Sequence, residues 1–271
     1  MARSVRFFHE TGAPFICSKD SRLRSVDGAN CYNLFIFLER VGLNRLLPRP
    51  KVIAVSGFSS NVGKTTLVCD LLERLPGWEA IKLTRGHYRS CGRDPVSCCV
   101  SDLLSDEPLV LSGRDSNYES RKDTGRFWDA GASNVHWVIV NDEQVQAGIA
   151  EALSRVKADG VIVEGNSFLE YITPDISIMC SRAEGGTIKP SARKVLPSCH
   201  FLYLSVVDGT QTEARQEFER FCASHSTGKI DLSALRVVTH DDLPLLVSRV
   251  CGSGDPTQPS AAKRGDRQYE A

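Results

Sequence analysis

One stretch, KVIAVSGFSSNVGKTTLVCDLLERL (residues 51–75), constrains the fold of this chain more than any other. It opens with a short apolar run, rich in β-branched residues, that stops at Gly57; this is the pattern of a strand buried on both faces. It closes with Leu67, Val68, Leu71, Leu72 and Leu75 at helical spacing. Between the two lies a loop of mostly small, polar residues ending in Gly63-Lys64-Thr65-Thr66. A strand that delivers such a loop to the start of a helix builds an anion site. The first N–H groups of the helix lack intrahelical partners, and the helix dipole adds to their attraction for negative charge. Gly57 and Gly63 let the backbone approach phosphate oxygens. Ser59, Ser60, Asn61 and Val62 form the loop between them. Lys64 supplies a point charge near the terminal phosphates, and Thr65 offers a hydroxyl suited to Mg²⁺. The common phosphate loop reads Gly-x-x-x-x-Gly-Lys-Ser/Thr. Here five residues, Phe58 to Val62, separate Gly57 from Gly63, one more than that pattern.

The pattern continues downstream. EAIKLT (79–84), VHWVIVN (135–141), GVIVEGN (160–166), DISIMCS (175–181), FLYLSVV (201–207) and ALRVVTH (234–240) read as strands. Helices are expected over 142–157, with Asn141 or Asp142 as cap, and over 212–224 and 242–251. Residues 85–119 read as a long irregular insert. Short apolar strands alternating with amphipathic helices predict an α/β fold: a mainly parallel sheet covered on both faces, in three layers. The predicted organisation is an extension over 1–49, weakly structured or carrying one helix at 31–47, a nucleotide-binding domain over 50–251, and a polar, disordered tail over 252–271.

Composition removes several function classes. The 33 basic and 33 acidic residues cancel, so no broad field for nucleic acid or anionic membrane is expected. No apolar run approaches the ~18 residues of a membrane span. The first residues lack a secretory pattern, so a cytoplasmic protein with reduced thiols is expected from its ten cysteines.

Three further segments carry candidate chemistry. Glu164 ends a buried strand, where a carboxylate suits Mg²⁺, directly or through water, or the activation of a water. In KDTGRFWDAGA (122–132), Asp123 either caps the following helix or sits near the metal, and Lys122 and Arg126 are candidates to face phosphates. Lys82 and Thr84 close the second strand, on the edge where doubly wound sheets bind ligands. The candidate catalytic set is thus Lys64, Glu164 and Asp123, and the candidate metal ligands are Thr65, Glu164 and Asp123.

The longer loop resembles that of dethiobiotin synthetase and its relatives among the P-loop NTPases. The partitioning members of that branch carry a second lysine near the start of the loop; Phe58 and Ser59 stand there in this chain. Over roughly 51–167 the chain resembles the molybdopterin-guanine dinucleotide biosynthesis protein B (MobB) family. The matching positions are Gly63, Lys64, Thr65, Thr66, Lys82, Lys122, Asp123, Arg126, Ala130, Gly131, Ala132, Glu164 and Gly165. The resemblance implies a three-layer P-loop NTPase fold that binds GTP with Mg²⁺ and hydrolyses it weakly. It also implies assistance to guanylylation of molybdopterin, often as a homodimer, with a pterin cofactor or a cofactor-maturation protein as partner. The alternative is an ATP-dependent small-molecule kinase or ligase related to dethiobiotin synthetase.

Two segments depart from the MobB pattern. The family's histidine-rich run is replaced by LTRGHYRSCGRDPVSCC, whose His87, Cys91, Cys98 and Cys99 either bind a metal or form a thiol-bearing loop. The chain also continues past 168 with more strand and helix than that compact family needs, and it lacks an Asn-Lys-x-Asp guanine-reading motif. Within that continuation, GGTIKPSARK (185–194) reads either as a loop over an anionic ligand or as an exposed basic loop.

Overall fold

The structure, a computed structural model, describes residues 49–86, 100–206, 210–224 and 235–252, with the isolated backbone pair Phe7–Phe8 and Pro14–Phe15. The helix expected over 31–47, the His87/Cys91/Cys98/Cys99 cluster and the tail beyond 252 lie outside the described residues.

Eight strands form one sheet: β1 (Lys51–Gly57), β2 (Glu79–Arg85), β3 (Leu109–Ser112), β4 (Val135–Val140), β5 (Gly160–Glu164), β6 (Ile176–Arg182), β7 (Phe201–Ser205) and β8 (Arg236–Val238). Their spatial order is β8-β7-β6-β1-β5-β2-β4-β3. Every pairing is parallel except β3 on β4. The phosphate-loop strand β1 therefore lies inside the sheet, between β5 and β6.

The helices are α1 (Lys64–Arg74), the single turn α2 (Arg114–Asn117), α3 (Asp123–Asp129), α4 (Val145–Arg155), α5 (Pro190–Val195), α6 (Gln211–Ser224) and α7 (Leu243–Cys251). On one face, Ile53 and Val55 of β1 pack with Leu67 and Leu71 of α1, Phe127 of α3 and Leu246 of α7. On the other, Val52 and Ala54 pack with Ile149 of α4, Val195 of α5 and Phe218 of α6. Successive residues of each strand feed opposite cores, and the three layers follow. Among the described residues no helix is long and apolar enough to cross a membrane.

The insert expected to be irregular over 85–119 contains β3 and α2. β3 is four residues long, lies at the sheet edge and buries only Val110, which leaves little apolar pattern to read in the sequence. The helix expected from 142 begins at Val145, because Asn141 Oδ1 accepts the N–H groups of Glu143 and Gln144 and holds a turn before it. The final strand spans Arg236–Val238, shorter than the expected 234–240.

The amino end of the sheet is tied by two polar contacts that sequence patterning does not show. Arg49 pairs both guanidinium nitrogens with Asp175 at 2.7 and 2.8 Å, and Asp175 also accepts the N–H of Val52. Deeper in, Glu79 Oε2 lies 2.7 Å from His136 Nε2, while Glu79 Oε1 accepts the N–H groups of Lys157 and Ala158. His136 Nδ1 lies 2.8 Å from Ser112 Oγ, so one buried cluster joins β2, β3, β4 and the turn into β5.

Burial alone would raise the pKa of Glu79. The His136 contact and the two backbone N–H groups outweigh burial and hold it below the ordinary carboxylate value. The stabilisation this carboxylate gives is complete above its unfolded-state value and is lost as pH falls through the lower folded-state value. Glu79→Gln is expected to lower unfolding free energy at pH 7 by roughly 1–3 kcal/mol. In urea titrations the gap to the parent protein should narrow as the pH is lowered through that window.

Candidate functional site

The carboxyl ends of β1, β2, β5 and β6 meet on one edge of the sheet. Phe58 N–H donates to Cys180 O at 2.9 Å, extending the β1–β6 ladder by one residue, and the Phe58 ring is buried against Phe218. Val62 is buried on the opposite face, among the α1 residues. The residue beyond the common loop length is thus absorbed by the core, and Ser59, Ser60 and Asn61 remain as the outer span. Asn61 and Gly63 take positive φ, 61° and 85°, to turn the chain into α1, and Gly63 is the N-cap residue. Gly57 has no room for a side chain, since a Cβ there would lie 2.6 Å from Val62 Cγ2 and 2.9 Å from Lys64 Cδ.

Asn166, two positions past the end of β5, grips Gly57 from both sides. Its Oδ1 accepts the Gly57 N–H at 2.9 Å, and its Nδ2 donates to the Gly57 carbonyl at 3.0 Å. Lys64 lies back over the loop, its ammonium donating to Ser59 O at 3.0 Å. Burial lowers its pKa, against the pull of Glu164.

Four side chains close a ring beside the loop. Thr65 Oγ1 lies 2.9 Å from Asp123 Oδ1 and 3.2 Å from Glu164 Oε2. Lys82 Nζ lies 2.6 Å from Asp123 Oδ2 and 2.6 Å from Glu164 Oε1. The register explains the meeting: Lys82 of β2 and Val55 of β1 both pair with Glu164 of β5, which turns Lys82 and Glu164 toward the α1 face. Glu164 is 1% exposed, and a carboxylate this deeply buried needs partners such as Lys82 and Thr65. Burial opposes charge on Lys82 and on Asp123. Their mutual contact, with Glu164 acting on Lys82 and Thr65 on Asp123, prevails, raising the Lys82 pKa and lowering that of Asp123.

The ring lines a cleft of about 810 Å³. Arg126 reaches the cleft and donates to Thr66 Oγ1 at 3.2 Å. Tyr203, Ser205, Gln211 and His240 line the same cleft.

Of the candidates read from sequence, Ser60, Asn61, Gly63, Lys64, Thr65, Thr66, Lys82, Asp123, Arg126 and Glu164 line this cleft. Gly57 and Val62 lie beneath the loop as support, and the Ser59 hydroxyl is turned to Ser60 O. Lys122 is the N-cap residue of α3, exposed, with its amine 4.0 Å from Glu119, and it is not among the residues lining the cleft. Asp123 makes no side-chain cap on α3 and is committed to the ring instead.

Within 185–194, Lys189 reaches the loop, donating from its N–H to Phe58 O at 2.8 Å and from Nζ to Ser60 Oγ at 2.9 Å. Arg193 bonds Ile188 O, and Lys194 pairs with Glu170. Sequence reading assigned no role to Asn166 or to Arg182, whose Nε donates to Asn61 O at 3.1 Å. The available signal was position, since each sits at or just past the carboxyl end of a strand flanking β1. Among the described residues no group of three His, Cys, Asp or Glu is placed to hold a metal. Burial pushes the Cys69 thiol up to about 11 and the Cys199 thiol to about 12, which leaves neither as a nucleophile at neutral pH.

No protein-family model matches the chain, and no curated protein matches it. Among solved structures, 32 chains match. One is a bifunctional folylpolyglutamate synthase/dihydrofolate synthase crystallised with Mn, AMPPNP and L-glutamate, at 15% sequence identity and a TM-score of 0.32. The match covers 80% of this chain and 48% of that one, so this chain spans about half of the neighbour's length.

Asn166→Ala removes both bonds to Gly57. It is expected to cost roughly 1–3 kcal/mol of stability in urea denaturation, because two backbone groups lose their partner.

Proposed function

We propose that this chain is a P-loop protein that binds a nucleoside triphosphate with Mg²⁺ on the loop from Gly57 to Thr66 and hydrolyses it slowly. The observation that supports this is the convergence of Thr65, Lys82, Asp123 and Glu164, from four separate elements, within 3.2 Å contacts beside Lys64 at a helix N-terminus. A hydroxyl and two carboxylates are hard oxygen donors, and Mg²⁺ bound with nucleotide needs few protein ligands because phosphates and water complete its shell. The residues present fit that ion, and Thr65, Asp123 and Glu164 are the ones that would hold it. When bound, it would neutralise charge developing on the terminal phosphate.

The remaining work falls to the chain itself. The N–H groups opening α1 and the Lys64 ammonium hold phosphate oxygens. Arg126, held by Thr66, adds a second cation on the α3 side. Buried Glu164 fixes the Thr65 hydroxyl and the Lys82 ammonium in place.

The finer reading takes GTP as the nucleotide and a cytoplasmic accessory role in molybdenum-cofactor biosynthesis, acting on a pterin cofactor or a maturation protein, as the MobB resemblance implies. Lys82 favours a second reading. It is an ammonium in the cleft that is not part of the loop, and an ATP-dependent kinase or ligase would use it for a small anionic substrate. Competition between ATP and GTP for the purified chain separates the two.

Two variants test the site. Lys64→Ala is expected to abolish triphosphate binding in calorimetry, with the circular dichroism of the fold retained; unchanged affinity across a nucleotide panel, with and without Mg²⁺, overturns the proposal. Glu164→Gln is expected to slow hydrolysis on the order of 10²-fold while changing affinity less, as for loss of a group acting mainly in the transition state. Equal turnover removes Glu164 from the mechanism.

A further inference from the structure

We infer that the Lys82 ammonium holds the place of the divalent cation between Asp123 and Glu164, so that metal enters only as Lys82 withdraws, and that Lys82 withdraws most readily when a triphosphate arrives. This inference rests on the triphosphate reading and names how that site is regulated.

The geometry carries it. Each carboxylate gives one oxygen to Lys82 Nζ, at 2.6 Å in both cases, and the other to Thr65 Oγ1. The single Thr65 proton serves one of its two carboxylate neighbours at a time, while the Lys82 ammonium serves both, so the point nearest to both acids is already cationic. A dication set beside that ammonium would face a like charge at contact distance, in a site where Glu164 is buried.

Lys82 has limited access to solvent: its side chain is 17% exposed, and its backbone is held in parallel ladders with β4 and β5. To release the carboxylates, its ammonium needs another anion within reach of the same spot. Lys64 and Lys82 line the same cleft, so an anion gripped by Lys64 also lies within the field of Lys82.

Charge balance points the same way. Two carboxylates and two ammonium groups already cancel, so a dication alone leaves an excess of positive charge and a triphosphate alone an excess of negative charge. Together they offset each other in part, each reducing the excess the other would leave. Each ligand then strengthens the other by the same factor, as linkage requires.

The test needs no nucleotide and no turnover. Mn²⁺ is titrated into the full chain and the free ion is followed by electron paramagnetic resonance. The parent is expected to bind weakly, Lys82→Met at least about tenfold more tightly because the competing charge is gone, and Lys82→Arg as weakly as the parent. Circular dichroism and urea midpoints check that each variant folds.

Lys82→Met binding Mn²⁺ no more tightly than the parent overturns the inference. So does a parent that takes up Mn²⁺ stoichiometrically at micromolar concentration without nucleotide, whatever the variants do. Failure of every nucleotide to bind in calorimetry would sink the functional reading instead, and would leave this metal titration readable.

Discussion

The Glu164 carboxylate is the constraint around which the site is organised. A charge this deeply buried is tolerated only when paired and hydrogen-bonded. Its pairing with Lys82 requires β2 and β5 to be neighbours in the observed register. Its contact with Thr65 requires α1 to start where it does. Asp123 is drawn in by the same ammonium, which brings α3 onto the α1 side of the sheet. One unaffordable charge thus specifies two strands and two helices at once. A polar network with a buried charge favours a single arrangement in this way, because a slip leaves that charge without a partner.

Much of this was legible in the sequence. β-branched runs ending at Gly57 and Glu164 identify buried parallel strands, because both faces of such strands meet apolar side chains. The Gly63-Lys64-Thr65 step identifies the helix start, because few other functions need a cation and a hydroxyl directly after a glycine turn. Lys82, Asp123, Arg126 and Glu164 were singled out from position at strand ends and from a resemblance, and they do share one cleft.

What was not legible depends on long-range geometry. Lys122 and Asp123 are adjacent in sequence, yet one faces solvent and the other the ring; only the rotation of α3 on the sheet decides between them. Asn166 reads as an ordinary turn residue until the fold places it across from Gly57, 109 positions away. The Glu79–His136 pair reads as two unrelated polar residues at strand starts. β3 was lost for a different reason: a four-residue edge strand with one buried side chain carries almost no periodicity.

The manner in which the loop is rooted has a consequence for how tightly it can grasp an anion. Phe58 is sunk into the core beneath α6, and Val62 into the core beneath α1, so the span astride the sheet edge is moored on both sides. Only Ser59, Ser60 and Asn61 lie between the moorings, and Lys189 and Arg182 steady them from outside. So short a tethered arc has little conformational freedom left to surrender on binding. Preorganisation of this kind lets more of each amide's attraction for an anion survive as net affinity.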